Sequence, residues 1–129
     1  MNIWLKIAVV AAGGALGALS RTGLTELCAS WFGEEFPYGT MSANLLGCLL
    51  IGMARAGVET MGWWDLSVRN FVFAGFLGAF TTFSTFEADT VSLWGAGEKW
   101  SAVLYMGGSV FVGLLAFILG WEIVARLSV

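Results

Sequence analysis

Apolar stretches separated by short polar or glycine-containing connections dominate this chain. Four emerge, from Ile3 to about Trp31, Thr40 to Ala54, Leu66 to Leu93 and Trp100 to Val124. They predict four membrane-spanning helices, and an even number of spans leaves both termini on one side. The first connection, Gly33-Glu34-Glu35-Phe36-Pro37-Tyr38-Gly39, gathers turn residues and ends beside Thr40, whose hydroxyl suits the N-cap of the second helix. Trp63, Trp64 and Trp94 bound the third stretch, and Trp100 and Trp121 lie near the ends of the fourth, where amphipathic rings anchor at the interface.

The third stretch breaks the pattern. A continuous helix from Leu66 to Leu93 would run about 42 Å, against a hydrocarbon core of roughly 30 Å. Within it, Gly75-Phe76-Leu77-Gly78-Ala79-Phe80-Thr81-Thr82-Phe83-Ser84-Thr85-Phe86 gathers glycines, hydroxyls and phenylalanines in one place. A break over Gly78 to Thr85, giving two half-helices, accounts for both the surplus length and the clustering. The alternative is a tilted, unbroken helix whose hydroxyls bond back to carbonyls one turn earlier. Non-helical backbone at membrane depth survives only where protein or water satisfies it, so a break here points to an ion or substrate path.

Composition agrees with the pattern. The chain is 58% hydrophobic and 12% charged with a mean hydropathy of +0.82, which places residues 1–129 in the membrane class as one domain. The net charge of −3 includes no basic tract for nucleic acid. The first apolar run lacks a small-residue cleavage site and reads as retained. Cys28 and Cys48 read as free, packed thiols, and without histidine or a Cys-x-x-C spacing neither zinc nor redox chemistry is indicated; no enzyme is expected. Gly13-x-x-x-Gly17, Gly107-Gly108, Gly113 and Gly120 predict close helix contacts. Four thin helices hardly enclose a pathway alone, so oligomerisation is expected. Lys6, Arg55, Arg69 and Arg126 fall toward the side of the termini and Arg21 and Lys99 toward the other, a bias slight enough to allow both orientations.

Several polar residues within the apolar runs call for partners. The Asn44 amide would cost several kcal/mol in hydrocarbon, so it faces protein or water, either as a helix-to-helix hydrogen bond or as part of a path. Arg21 marks either the membrane boundary or a cationic vestibule wall, with Glu26 within reach on the same helix. Glu87 and Asp89 follow the interruption, where solvation of a helix end is the plain reading; Glu87 is the carboxylate placed for proton coupling, should there be any. Tyr105 and Ser109, four apart, offer two hydroxyls on one helical face. Phe83 and Phe86 project the same way if helix resumes there. Such a pair is commonly packing, but ring edges beside hydroxyls and an amide can also line a path for a small anion without a fixed charge to trap it.

These residues resemble the Fluc (CrcB) fluoride channels of bacteria. The resemblance spans nearly the whole chain and is carried by Gly13-Gly14-x-x-Gly17-Ala18-x-x-Arg21, by Gly39-Thr40-x-x-x-Asn44-x-x-Gly47, and by Gly75-x-x-Gly78-x-x-Thr81-Thr82-Phe83-Ser84-Thr85-Phe86. It implies an all-α integral membrane protein of the bacterial inner membrane, with the third of four helices broken mid-membrane, assembled as an antiparallel homodimer with two fluoride pathways. Phe83 and Phe86 would then be the pore phenylalanines, Asn44 the pore amide, Thr40 and Ser109 members of a polar track beside Tyr105, and Arg21 the vestibule arginine. Gly78 and Thr81 would give backbone carbonyls to a sodium ion at the dimer centre. The implied function is passive, fluoride-selective export that relieves fluoride toxicity. One departure is visible: relatives usually carry a second hydroxyl one turn past Ser109, where this chain has Gly113. The rival readings are a proton-coupled, dual-topology small-substrate exporter and a purely structural membrane subunit.

Overall fold

The computed structural model describes residues 1–128, and these form only helices and connections. Four helical stretches, Ile3–Phe32, Tyr38–Met61, Leu66–Gly95 and Lys99–Ser128, are long and apolar enough to cross a membrane. The chain is therefore a multi-pass membrane protein.

Helix α1 (Ile3–Phe32) begins where the Asn2 side chain accepts the Trp4 N–H at 2.8 Å, and ends where Gly33, at φ 79°, turns its N–H back to the Ala29 carbonyl. Helix α2 (Tyr38–Met61) starts two residues before the expected N-cap. Pro37 precedes it with no side-chain cap, and Thr40 lies within the first turn, 7% exposed, so it does not cap the helix. The helix also runs past Ala54, and its extra turns carry Arg55 and Glu59, paired across one turn at 3.6 Å. Charged residues at a helix end keep their hydration, so helix continues beyond the apolar run that foretold it.

Glycines set the distances between helices. A Cβ on Gly13 or Gly17 of α1 would run into backbone of the Phe71 to Phe76 stretch, and one on Gly75 would meet the Val10 carbonyl oxygen at 2.8 Å. Helix α6 (Lys99–Ala125) packs most extensively on α2, where Gly52 lies against Phe117 backbone and Gly120 against Leu49 backbone. Bare backbone on both sides brings the helices close enough for dispersion contacts to hold them without a hydrophobic driving force. Leu104, Phe111, Leu115 and Ile118 stay exposed along one face of α6, as lipid contact requires, whereas Tyr105, Gly113 and Gly120 are buried on another.

The third stretch changes form along its length. A short helix, α3 (Leu66–Arg69), capped by the Asp65 carboxylate accepting from the Val68 N–H, passes into a wide π-helical segment, Asn70–Leu77, and then into α4 (Gly78–Phe80). Thr81 (φ −90°, ψ 155°) and Thr82 (φ −150°, ψ 120°) are extended, and helix resumes as α5 (Phe83–Gly95). The non-helical backbone is narrower than the expected span of Gly78 to Thr85. Gly78 itself is helical at φ −61° and ψ −34°, and Ser84 and Thr85 already belong to α5.

Candidate functional site

Two extended residues between helices leave backbone groups without helical partners, and side chains from neighbouring helices take them up. Thr82 donates its N–H to Asn44 Oδ1 at 2.8 Å, and Asn44 Nδ2 donates to the Thr82 carbonyl at 3.0 Å. The α2 amide thus pairs with the chain as a second peptide group would. It reaches because Gly47, one turn along α2, has no side chain: a Cβ there would collide with the Thr81 methyl group. Thr82 also caps α5, its Oγ1 accepting the Thr85 N–H at 3.3 Å and donating to Thr85 Oγ1 at 3.0 Å. Thr81 Oγ1 donates to the Leu77 carbonyl at 2.9 Å.

Each of these bonds releases another group. With its N–H turned to Asn44, Thr82 no longer serves the Gly78 carbonyl one turn earlier, and with the Thr85 N–H on its cap the Thr81 carbonyl receives no helical donor. Arg21 Nε, from α1, donates to the Ala79 carbonyl at 3.0 Å. The Gly78 and Thr81 carbonyls thus remain as hard-oxygen donors, a set that fits a sodium ion. Among the described residues no three His, Cys, Asp or Glu side chains cluster as a metal site, so such an ion would rest on backbone oxygen.

A cavity of about 350 Å³ borders the break, lined among others by Asn44, Cys48, Thr81, Phe83, Phe86 and Ser109. Its polar groups are few and are uncharged. Asn44 spends one amide N–H on Thr82 and keeps the other. Ser109 Oγ is fully buried and has no hydrogen-bond partner among the described residues. Phe83 is 73% exposed and Phe86 7%, their rings 6.0 Å apart and tilted by 48°. Phe86 also lies 5.2 Å from the Tyr105 ring, and Tyr105, 0% exposed, donates its hydroxyl to Asp89 Oδ2 at 3.1 Å, with the Thr40 hydroxyl beside it.

The family model described as CrcB-like protein, Camphor Resistance (CrcB), matches residues 8–121, a region that includes all of these groups. The chain belongs to the CrcB family. Among curated CrcB relatives, one from Acidobacterium capsulatum is 41% identical over 127 residues, covering 95% of this chain and 98% of its own length. One from Nitrobacter winogradskyi is 43% identical over 122 residues, covering 94% and 96%, and one from Aeromonas salmonicida is 41% identical over 125 residues, covering 97% and 98%. Each of the three is named a fluoride-specific ion channel, FluC.

The residues singled out in this CrcB sequence fall into three groups. Asn44, Phe83, Phe86 and Ser109 share the cavity; Thr40 and Tyr105 lie together behind Phe86; Arg21 bonds Ala79 of α4, the short helix that Gly78 opens and Thr81 closes. Glu26 is not Arg21's partner, since the described ion pairs are Arg55 with Glu59 and Arg126 with Glu122. Helix geometry explains this: five residues apart on α1, the two side chains point away from each other. Glu87 is exposed and lines no part of the cavity. The Asp89–Tyr105 bond, the Arg21–Ala79 bond and the room that Gly47 leaves were not foreseen. A carboxylate sixteen residues before a tyrosine carries no signal in sequence, and a bond to a carbonyl carries none at any spacing.

Proposed function

We propose that this chain is a passive, fluoride-selective channel that exports fluoride from the bacterial cell across the inner membrane, working as an antiparallel homodimer. The observation that carries the reading is the cavity beside the Thr81–Thr82 backbone, whose lining brings together Asn44 with its spare N–H, the unpartnered Ser109, and the rings of Phe83 and Phe86. Family membership and the relatives' names support it.

Fluoride holds its water tightly, so a selective path must replace hydration with close donors and still let the ion leave. Neutral donors meet both demands. Asn44 plays two parts, because one face of its amide fixes the break while the other faces the ion. Phe83 and Phe86 present the positive edges of their rings. Ser109, with Thr40 and Tyr105 behind Phe86, continues the polar track, and Arg21 attracts anions toward the vestibule while holding Ala79. The interruption lies near the middle of the Leu66–Gly95 stretch, the place a mid-membrane break would occupy. Exposed Phe83 stands at the open side of the cavity, where a second copy would complete the wall. Sodium bound by the Gly78 and Thr81 carbonyls of two copies would supply fixed positive charge without a titrating side chain. No carboxylate lines the cavity, so a proton-coupled exporter finds no support there.

Efflux from liposomes holding the purified protein, followed by a fluoride electrode and compared with chloride, tests the proposal. Rapid fluoride release with little chloride movement is expected. Equal rates for the two anions, or fluoride movement tied stoichiometrically to protons, would overturn it.

A further inference from the structure

We propose that the Cys48 thiol is a donor in the anion path, taking over on α2 where the line of hydroxyls on α6 stops; this rests on the channel reading above. Tyr105 and Ser109 are one turn apart on α6, and one turn further the same face carries Gly113, which has nothing to offer. The space that a side chain at 113 would enter is not empty. An ideal Cβ built on Gly113 lies 3.3 Å from Cys48 Sγ and 3.8 Å from Leu45 Cδ2. Cys48 is a free thiol, half-buried, one turn past Asn44 on α2, and lines the same cavity as Asn44 and Ser109.

Three observations make this more than a packed cysteine. Cys48 lines a cavity that reaches the break, and Ser109, which lines it too, has a buried Oγ with no hydrogen-bond partner among the described residues, a polar atom still in need of one. Cys48 and residue 113 also compete for one volume: at 3.3 Å a Cβ is tighter than ordinary contact, so a hydroxyl-bearing side chain at 113 and a thiol at 48 fit together only if the sulfur shifts. A glycine at 113 and a sulfur at 48 are therefore one device, with the donor moved from one wall to the other. The S–H group is a weak donor, suited to a step where the ion must be held briefly and passed on.

The test is fluoride efflux from liposomes, read against chloride, in a Cys28→Ala background so that Cys48 is the single thiol. One ordinary hydrogen bond corresponds to about three- to tenfold in rate. Cys48→Ala is expected to slow efflux by about that factor, and Cys48→Ser to match or exceed the parent. The double variant Cys48→Ala with Gly113→Ser is expected to return to within about twofold of the parent, since the hydroxyl then comes from α6. Methyl methanethiosulfonate, small and uncharged, is expected to stop efflux from the assembled parent, and dithiothreitol to restore it. Cys48→Ala conducting like the parent, equal losses in the Ala and Ser variants, or a thiol that resists the reagent or accepts it without a change in flux would each overturn the proposal. A parent that moves no fluoride overturns the channel reading, and this one with it. A conducting parent matched by its Cys48→Ala variant overturns the role of Cys48 alone.

Discussion

Two neighbouring stretches of α2 meet their partners by opposite means. Near its start, Asn44 and Gly47 face the Thr81–Thr82 backbone, and the contact is two reciprocal hydrogen bonds with a methyl group seated where a Cβ is missing. One to two turns later Gly52 faces Phe117 of α6 and Gly120 of α6 faces Leu49, a seam of bare backbone with no polar side chain involved. The difference lies in what the partner backbone needs. Along α6 every amide within the helix is satisfied by its own turn, so a neighbour need only fit; at Thr82 the peptide has lost its helical partners, and a neighbour must bond. A fitted seam tolerates no added atom, whereas a bonded contact can keep its shape and still lose its chemistry.

That contrast can be broken most forcefully at the seams. Gly17→Val would drive a side chain into the Phe76 carbonyl, with rigid helix on both sides. The expected result is no monodisperse protein in detergent, read by size-exclusion chromatography. A well-folded variant would show that the seams yield and that the contrast is one of degree.

Asn44→Asp should separate shape from chemistry. It keeps the acceptor for the Thr82 N–H but loses the donor to the Thr82 carbonyl and puts a negative charge on the cavity wall. Leaving one backbone group unpaired costs about 1–3 kcal/mol. With the added repulsion, fluoride flux is expected to fall by about two orders of magnitude or more while the assembly still elutes as the parent does. Flux near that of the parent would remove Asn44 from the path.

The phenylalanines come next, with smaller losses. Phe86→Ile and Phe83→Ile keep bulk and apolarity but remove the ring quadrupole, and each is expected to slow fluoride efflux by roughly tenfold, as one lost ring-edge interaction of about 1 kcal/mol or more would. Phe86 should be the more sensitive, because its ring is also packed 5.2 Å from that of Tyr105. Two variants that conduct like the parent would make both rings packing residues and move the path to the Thr40, Tyr105 and Ser109 hydroxyls.

Glu87→Gln should change least. The carboxylate is exposed on α5 and apart from the cavity, so passive current is expected to persist within about twofold, a scale below one ordinary hydrogen bond. If transport stops, the exporter reading displaces the channel.

Much of this was legible along the chain, and the residues show why. Four apolar runs gave four helices, since a backbone surrounded by lipid must satisfy itself and helices do so locally. The ends were less legible: α2 extends from Tyr38 to Met61 rather than from Thr40 to Ala54, because charged turns such as that of Arg55 and Glu59 cost nothing in water. The irregular third stretch was visible in its clustered glycines and hydroxyls, but its two extended residues were not, since Gly78, Ser84 and Thr85 are weak helix formers too and yet are held in helix here.

Asn44 could be named from sequence as an amide in need of a partner. That the partner is the peptide at Thr82, thirty-eight residues away, could not be. Arg21 was visible as a cation near a membrane end, yet its bond to the Ala79 carbonyl depends on how Gly13 and Gly17 seat α1 against the third stretch. By sequence Asp89 suits a solvated helix end, yet it accepts the Tyr105 hydroxyl, and by sequence Gly113 is a bare position, yet Cys48 lies beside it. The sequence by itself determined the membrane class, the number of spans and the kinds of chemical group near the break, because hydropathy and residue type act locally. Only the tertiary structure decided which group serves which, because a hydrogen bond or a filled volume depends on the distance between helices, and here that distance is set by glycines whose missing side chains let backbones meet.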